Sequence, residues 1–140
     1  IKIVVVGKIK EKIYQQRILG YLKWIDQDVK TDLIILKESS GKKLDQKLKP
    51  YLHSNNYTIC VSEDGKQLSS KQFSEYIFER NQDLTFFIGG PDGHPQIIEK
   101  ESKSILSLSN LTLPHEMALL VLAEQIFRAI SIKKGSKYHR

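Results

Sequence analysis

Apolar residues recur along this chain in two alternating patterns. Residues 1–6 form a β-branched run stopped at Gly7, the profile of a buried strand. Residues 10–25 then place Ile13, Tyr14, Ile18, Leu19, Tyr21, Leu22 and Ile25 at helical spacing with charges between them, which predicts an amphipathic helix with a weak point at Gly20. The alternation continues to the C-terminus. Residues 31–36 contain LIIL and read as a second strand, followed by the turn formers Ser39, Ser40 and Gly41. Residues 43–52 read as a short polar helix. Residues 57–61 give a third strand, which Asp64 and Gly65 are expected to close with a tight turn. A third helix is predicted over 68–80, capped by Ser69 or Ser70. The run at 84–88, apolar after Thr85, is a fourth strand leading into Gly89-Gly90-Pro91-Asp92-Gly93, and 105–108 is a short fifth.

The most continuously apolar helix comes last. Pro114 suits a first helical turn, where its missing N–H costs nothing, and Thr112 just ahead of it is placed to accept a bond from the open amides. No polar residue interrupts 117–123, and a helix apolar all round must be covered on more than one side. A sheet covers one face only. A second copy of the chain is the expected cover for the other, making a homodimer; a central core helix in a monomer is the alternative.

Strands alternating with helices imply one α/β domain over 1–140, with a mostly parallel sheet and helices on both faces. No apolar run approaches the ~20 residues needed to cross a bilayer. The opening residues read as a strand and not as a secretory signal, so a cytoplasmic location and no membrane partner are expected. Cys60 is the one cysteine, which excludes a disulfide framework or a thiolate zinc site within the chain; it sits in an apolar run and is expected in the core, and no metal site is predicted.

Charge adds a partner class. The formal net charge is +6, and no acidic residue follows Glu124, whereas Arg128, Lys133, Lys134, Lys137 and Arg140 crowd the end with Tyr138 and His139 among them. A solvated basic tail is one reading. Interleaved aromatics favour RNA, because a ring stacks on an unpaired base while cations hold phosphates. Ligands of parallel sheets bind beyond the carboxyl ends of the strands, which selects the loops 89–93 and 108–113. In the first, glycines permit close approach of backbone to a ligand. GGPDG is not the G-x-G-x-x-G of dinucleotide folds and stands late in the chain, although a flavodoxin-like nucleotide-binding protein is an alternative it leaves open.

Five motifs in order carry a resemblance: Gly7-Lys8 with Lys10-Glu11; Ile88-Gly89-Gly90-x-x-Gly93; Leu106-Ser107 with Thr112-x-Pro114-His115; Glu124-Gln125-x-x-Arg128-Ala129; and Gly135-x-x-Tyr138-His139-Arg140. Together they resemble the SPOUT-class methyltransferases that modify a pseudouridine of 23S ribosomal RNA at N3. The resemblance spans nearly the whole chain. It implies an α/β fold with a C-terminal trefoil knot, S-adenosylmethionine as cofactor, the large ribosomal subunit as substrate, and a homodimer in which the tail of one subunit completes the site of the other. Carried over by position, it implies cofactor contacts from Val61, Gly89, Leu108, Ser109, Asn110, Leu111, Thr112 and Leu113. RNA contacts would come from Arg128, Tyr138, His139 and Arg140, with His115, Tyr138 and His139 as candidates for a catalytic role. This chain departs from the family pattern at Leu119, where an arginine is usual, at Ser62, where a carboxylate is usual, and at His94-Pro95. A catalytically silent RNA-binding module is therefore the second alternative.

Overall fold

The computed structural model describes residues 1–140. Ten elements alternate: β1 (Lys2–Val6), α1 (Lys12–Asp26), β2 (Asp32–Leu36), α2 (Gly41–Leu52), β3 (Tyr57–Gln67), α3 (Ser70–Phe78), β4 (Leu84–Ile88), α4 (Gln96–Glu101), β5 (Ser104–Ser107) and α5 (His115–Lys134). The sheet has the order β2-β1-β4-β3-β5, and every pairing in it is parallel. Ile3, Val5, Phe86 and Ile59 are fully buried because β1, β4 and β3 are inner strands covered on both faces, which is what their near-continuous apolar runs require.

Two cores flank the sheet. Ile18, Leu22 and Ile25 of α1, Phe73 and Ile77 of α3, and Leu119, Leu122 and Ile126 of α5 fill one face; Leu44, Leu48 and Leu52 of α2 with Ile98 of α4 fill the other. Crossovers α1 and α3 step one way along the sheet and lie on one face, while α2 and α4 step the other way and lie on the opposite face. All four therefore share one hand, as the handedness rule for βαβ units demands. Cys60 is buried on the smaller core, and desolvation pushes its thiol up to about 12, so it is inert packing.

Three local expectations are corrected. Asp64 and Gly65 do not turn the chain: β3 runs on to Gln67, with a register irregularity that pairs Leu106 of β5 first with Val61 and then with Lys66. A Cβ on Gly65 would stand 2.6 Å from the Ile105 carbonyl carbon, so the glycine is required by backbone crowding and not by a turn. Thr112 does not cap α5; its hydroxyl donates to the carboxylate of Glu63, and Pro114, at φ −56° and ψ 149°, is itself the N-cap residue. Helix α4, with six residues, is too short to show a period in the sequence. Among the caps, Ser69 forms a reciprocal box with Gln72, at 2.9 and 3.2 Å.

Helix α5 is covered within the chain on more sides than a sheet alone provides. Leu119, Leu122, Ala123 and Ile126 have at most 0% exposure between the sheet and helices α1 and α3, and Ser74 of α3 donates to the Ala129 carbonyl at 2.8 Å. Met117, Leu120, Val121 and Phe127 remain only partly covered. The helix ends at Gly135, whose φ of 70° closes the last turn in the left-handed region.

Two glycines of opposite character test this account. Gly65→Ala is expected to destabilise the protein by more than ~2 kcal/mol, since backbone must move to admit the methyl. Gly20 has nothing within 4 Å of its Cβ position, inside α1. Gly20→Ala should stabilise by up to ~1 kcal/mol, and urea unfolding of both variants measures the contrast.

Candidate active site

The carboxyl ends of β3, β4 and β5 are where chain segments far apart in sequence are forced together. They enclose an open cavity of about 510 Å³, within the range of small-molecule sites. Its walls come from 61–64, from 88–94 and from 108–115, with Glu99 and Ala118 at the margins. Of the residues singled out for a cofactor, Val61, Gly89, Leu108, Ser109, Leu111, Thr112 and Leu113 line this cavity. Asn110 is exposed and stands outside the lining.

Each wall is fixed by a local interaction. Gly93 donates its N–H to the Gly90 carbonyl at 2.9 Å, with φ +81° at Gly93, so 90–93 is a tight turn. A Cβ on Gly89 would meet the Gly93 carbonyl carbon at 2.8 Å, and one on Gly90 would meet the Val6 oxygen at 2.9 Å. The close approach that these glycines allow is therefore between backbone and backbone; it shapes the rim without opening space for a ligand. The second loop is braced by Ser107, which donates to the Ser109 carbonyl at 2.8 Å, and by Ser109, which accepts from the Leu111 N–H at 3.0 Å. Thr112 ties it to Glu63 across the cavity.

Five polar lining residues lie outside the predicted set: Ser62, Glu63, Asp64, His94 and Glu99. His94 donates from Nε2 to the Val61 carbonyl at 2.7 Å and so clasps β3 to the glycine loop. In the sequence it stands out only as part of the His94-Pro95 departure from the family pattern. Burial holds its pKa below the ordinary value, against the hydrogen bond to Val61 and the charge of Glu99, so it sits neutral with Nδ1 as its remaining acceptor.

His115 lines the cavity at the start of α5, and its Nε2 lies 3.2 Å from the Lys8 carbonyl. Glu116 accepts from the N–H groups of Lys10 and Glu11, and these two contacts pin the α5 N-terminus to the loop between β1 and α1. No group of three or more His, Cys, Asp or Glu side chains is placed to hold a metal ion.

The tail residues gather elsewhere. Tyr138 packs edge-on against Phe127, at 4.8 Å between ring centroids, and donates to Glu124 at 3.1 Å. Arg128 forks onto Glu124 at 2.6 and 2.9 Å, lies 4.9 Å from the centre of the Tyr138 ring, and donates to Nδ1 of His139 at 3.1 Å. Desolvation, with the Glu124 carboxylate alongside, keeps the Tyr138 hydroxyl protonated well above its ordinary range. Arg140 is exposed and makes no polar side-chain contact. None of these four lines the cavity of its own chain. Glu124 stands nine residues into α5, about 14 Å along the axis from its first residue.

Because His94 is held neutral, its protonation opposes folding. The unfolded chain takes up that proton near 6.5, the folded chain only at lower pH, so stability falls as pH drops below about 6.5. His94→Gln, which keeps a donor for Val61 but cannot titrate, is expected to flatten this fall in urea unfolding measured between neutral and mildly acidic pH.

Residues 1–139 match the family model described as "Predicted SPOUT methyltransferase". Proteins named ribosomal RNA large subunit methyltransferase H are similar along the whole chain. That of Prochlorococcus marinus is 39% identical, over 100% of this chain and 95% of its own. That of Streptococcus suis is 34% identical, over 100% and 99%; that of Dictyoglomus thermophilum is 35% identical, over 99% and 98%. Among solved structures, a "probable methylase family protein" from Haemophilus influenzae Rd KW20 superposes with a TM-score of 0.65 at 11% identity, covering 99% of this chain and 70% of that one. The SpoU methyltransferase AviRb from Streptomyces viridochromogenes, solved with the cofactor AdoMet, superposes with a TM-score of 0.50 at 10% identity, covering 97% and 61%. At such identities the structural likeness speaks for the fold alone, and it is the full-length family match, with relatives above 30% identity, by which this chain belongs to the SPOUT methyltransferase family.

Proposed function

We propose that this chain transfers a methyl group from S-adenosylmethionine to N3 of a pseudouridine in large-subunit (23S) ribosomal RNA, acting as a homodimer of one-domain subunits. The observation that carries the reading is the meeting of 61–64, 88–94 and 108–115 around one cavity at the strand ends, in a chain whose full-length relatives are named as large-subunit ribosomal RNA methyltransferases.

The residues present fit the cofactor. Its sulfonium and ammonium groups are cationic, and Glu63, Asp64 and Glu99 supply carboxylates at the cavity. Ile88, Leu108 and Leu113 supply apolar walls for the faces of an adenine, with loop backbone at its edge. When bound, S-adenosylmethionine supplies a methyl carbon already activated by the sulfonium, so the protein's task is alignment of the attacking nitrogen. The same carboxylates disfavour a phosphate, and the Gly93 amide is already spent on Gly90. Both features count against the flavodoxin-like alternative.

A pseudouridine N3 must lose a proton as it is methylated. Positive charge beside it favours the anion that develops. Arg128 and Arg140 offer that charge and Tyr138 and His139 offer rings for stacking, but a subunit's own tail lies away from its own cavity. Delivery from a partner resolves this. Met117, Leu120, Val121 and Phe127 form a partly covered apolar stripe on α5, next to Trp24 of α1 at 46% exposure, and a second copy is its proposed cover. His115, with Nε2 directed at the Lys8 carbonyl, offers Nδ1 for any proton transfer.

The same reading places the C-terminal part of the chain in a trefoil knot. Its support is the passage of 108–114 from the edge strand β5 to the start of α5 beside α1, while the far end of β3, beyond its register irregularity, pairs with β5 a second time at Lys66 and Gln67.

Leu108→Trp should fill the cavity and weaken S-adenosylmethionine binding by at least 100-fold in calorimetric titration, with the fold retained by circular dichroism. A folded variant of unchanged affinity removes this cavity from the mechanism. Wild-type protein that binds RNA and shows no cofactor heat would establish the silent RNA-binding module instead.

Deleting Tyr138 to Arg140 should leave cofactor affinity intact and abolish methylation of 23S RNA, because register and stacking are lost. Mixed dimers of the tail-deleted and Leu108→Trp subunits contain one site with both an intact cavity and an intact tail. Restored activity in the mixture, well above either parent, is the expected result; inactive mixed dimers would place the tail's action within its own chain.

A further inference from the structure

We propose that the lysines beyond β1 and β2, continued by the first turn of α2, form the track along which the substrate RNA backbone lies as its target base enters the cavity. This rests on the methyltransferase reading and adds a surface that neither the tail nor the cavity loops include.

The sheet itself assembles the track. Val6 pairs in register with Leu36, and Gly7 donates to the Leu36 carbonyl at 2.8 Å, so the two chains leave the sheet at one level and side by side. Lys8, Lys10 and Lys12 follow the first strand; Lys37, Lys42 and Lys43 follow the second. All six are exposed, and none belongs to any of the chain's four ion pairs. Lys47 reinforces the second loop from behind, with its ammonium 3.3 Å from the Ser39 hydroxyl and 3.5 Å from the Lys37 carbonyl. The acids nearby are Glu11, Glu38, Asp45 and, through its contact with the Lys10 N–H, Glu116, too few to neutralise these six lysines and Lys47.

A hollow of about 460 Å³ between Lys37, Glu38, Ser39, Lys43, Gln46 and Lys47 has no apolar residue in its lining. Such a surface offers nothing to a hydrophobic peptide and suits a hydrated polyanion held by its phosphates. It also begins at the mouth of the active-site cavity. Gly7 has no side chain, and where a Cβ would stand, His115 Nε2 and Glu38 Oε1 are each 3.3 Å away; His115 is itself a wall of the cavity. The same loop carries Lys8, whose carbonyl faces His115. An RNA strand reaching into the cavity over the β1 loop therefore passes these lysines before any other unpaired cations.

The test compares two triple variants of equal charge. Lys37→Gln/Lys42→Gln/Lys43→Gln removes the track, and Lys71→Gln/Lys100→Gln/Lys103→Gln removes three exposed lysines of α3, α4 and the turn after it. Methylation of 23S RNA is followed over a salt series, with S-adenosylmethionine binding measured alongside. The track variant is expected to raise the RNA KM about tenfold or more and to flatten its log–log salt dependence by roughly two units, three phosphate contacts having been lost, with kcat and cofactor affinity unchanged. The control should do neither. Equal loss in both variants would reduce the effect to net charge and overturn the track, as would an unaltered salt slope in the track variant. Loss of affinity for anionic lipid vesicles with RNA methylation intact would assign the lysines to a membrane surface instead. Failure of the wild-type protein to bind S-adenosylmethionine or methylate RNA would overturn the underlying activity, a result distinct from any of these.

Discussion

Three backbones meet where β3 runs past its neighbours, and the fold depends on there being no side chain between them. A methyl group at Gly65 would collide with the Ile105 and Leu106 backbone, one at Gly89 with Gly93, and one at Gly90 with Val6. These contacts hold the far end of β3, the glycine loop and β5 at a spacing that polar bonds then lock: His94 to Val61, and Thr112 to Glu63. The cavity is what remains between segments brought that close. Its dimensions follow from backbone packing, which relaxes less than side chains do, and a site built this way is pre-organised before any ligand arrives.

Helix α5 carries the consequences to the rest of the molecule. Its first turn, through His115 and Glu116, is fastened to the β1–α1 loop at the cavity; its middle is buried among α1, α3 and the sheet; its last third receives the tail. The helix is thus both a wall of the site and the spine of the larger core. A disturbance of Leu122 or Ile126, each fully buried, would be felt at the cavity through the same rigid rod. The stripe on its outer side, Met117, Leu120, Val121 and Phe127, is only partly covered.

Much of this was legible in the sequence, and what was not has physical reasons. Strands at 1–6, 31–36 and 84–88 and helices at 10–25 and 43–52 match the structure within a few residues, because apolar periodicity is imposed locally by burial on the sheet. The extension of β3 was hidden because Asp64-Gly65 has turn chemistry, and only a strand arriving from forty residues later makes that glycine a packing position. Pairing between distant segments leaves no period. Helix α4 is shorter than two turns, and His94 owes its role to a carbonyl over thirty positions earlier. The loops 89–93 and 108–113 are legible as strand ends, whereas the eight cofactor residues follow from the family resemblance, and seven of them line the cavity; Asp64 reads as a turn former, and Glu99 falls in a helix too short to show a period.

Formal charge proved a poorer guide than paired charge. No acid follows Glu124 in the sequence, yet in the folded chain Glu124 reaches forward to Arg128, and Asp28 takes Lys134. Each pairing removes a cation from those free to hold a phosphate in the isolated subunit. The Tyr138 hydroxyl and the Arg128 fork share a single oxygen of Glu124, so the tail is held by a carboxylate that becomes available to other donors if the tail leaves. In the proposed dimer, docking of the tail on its own helix would compete with its delivery to a partner for the same three side chains. Their balance is set by ion-pair strength at a partly exposed site, which salt weakens.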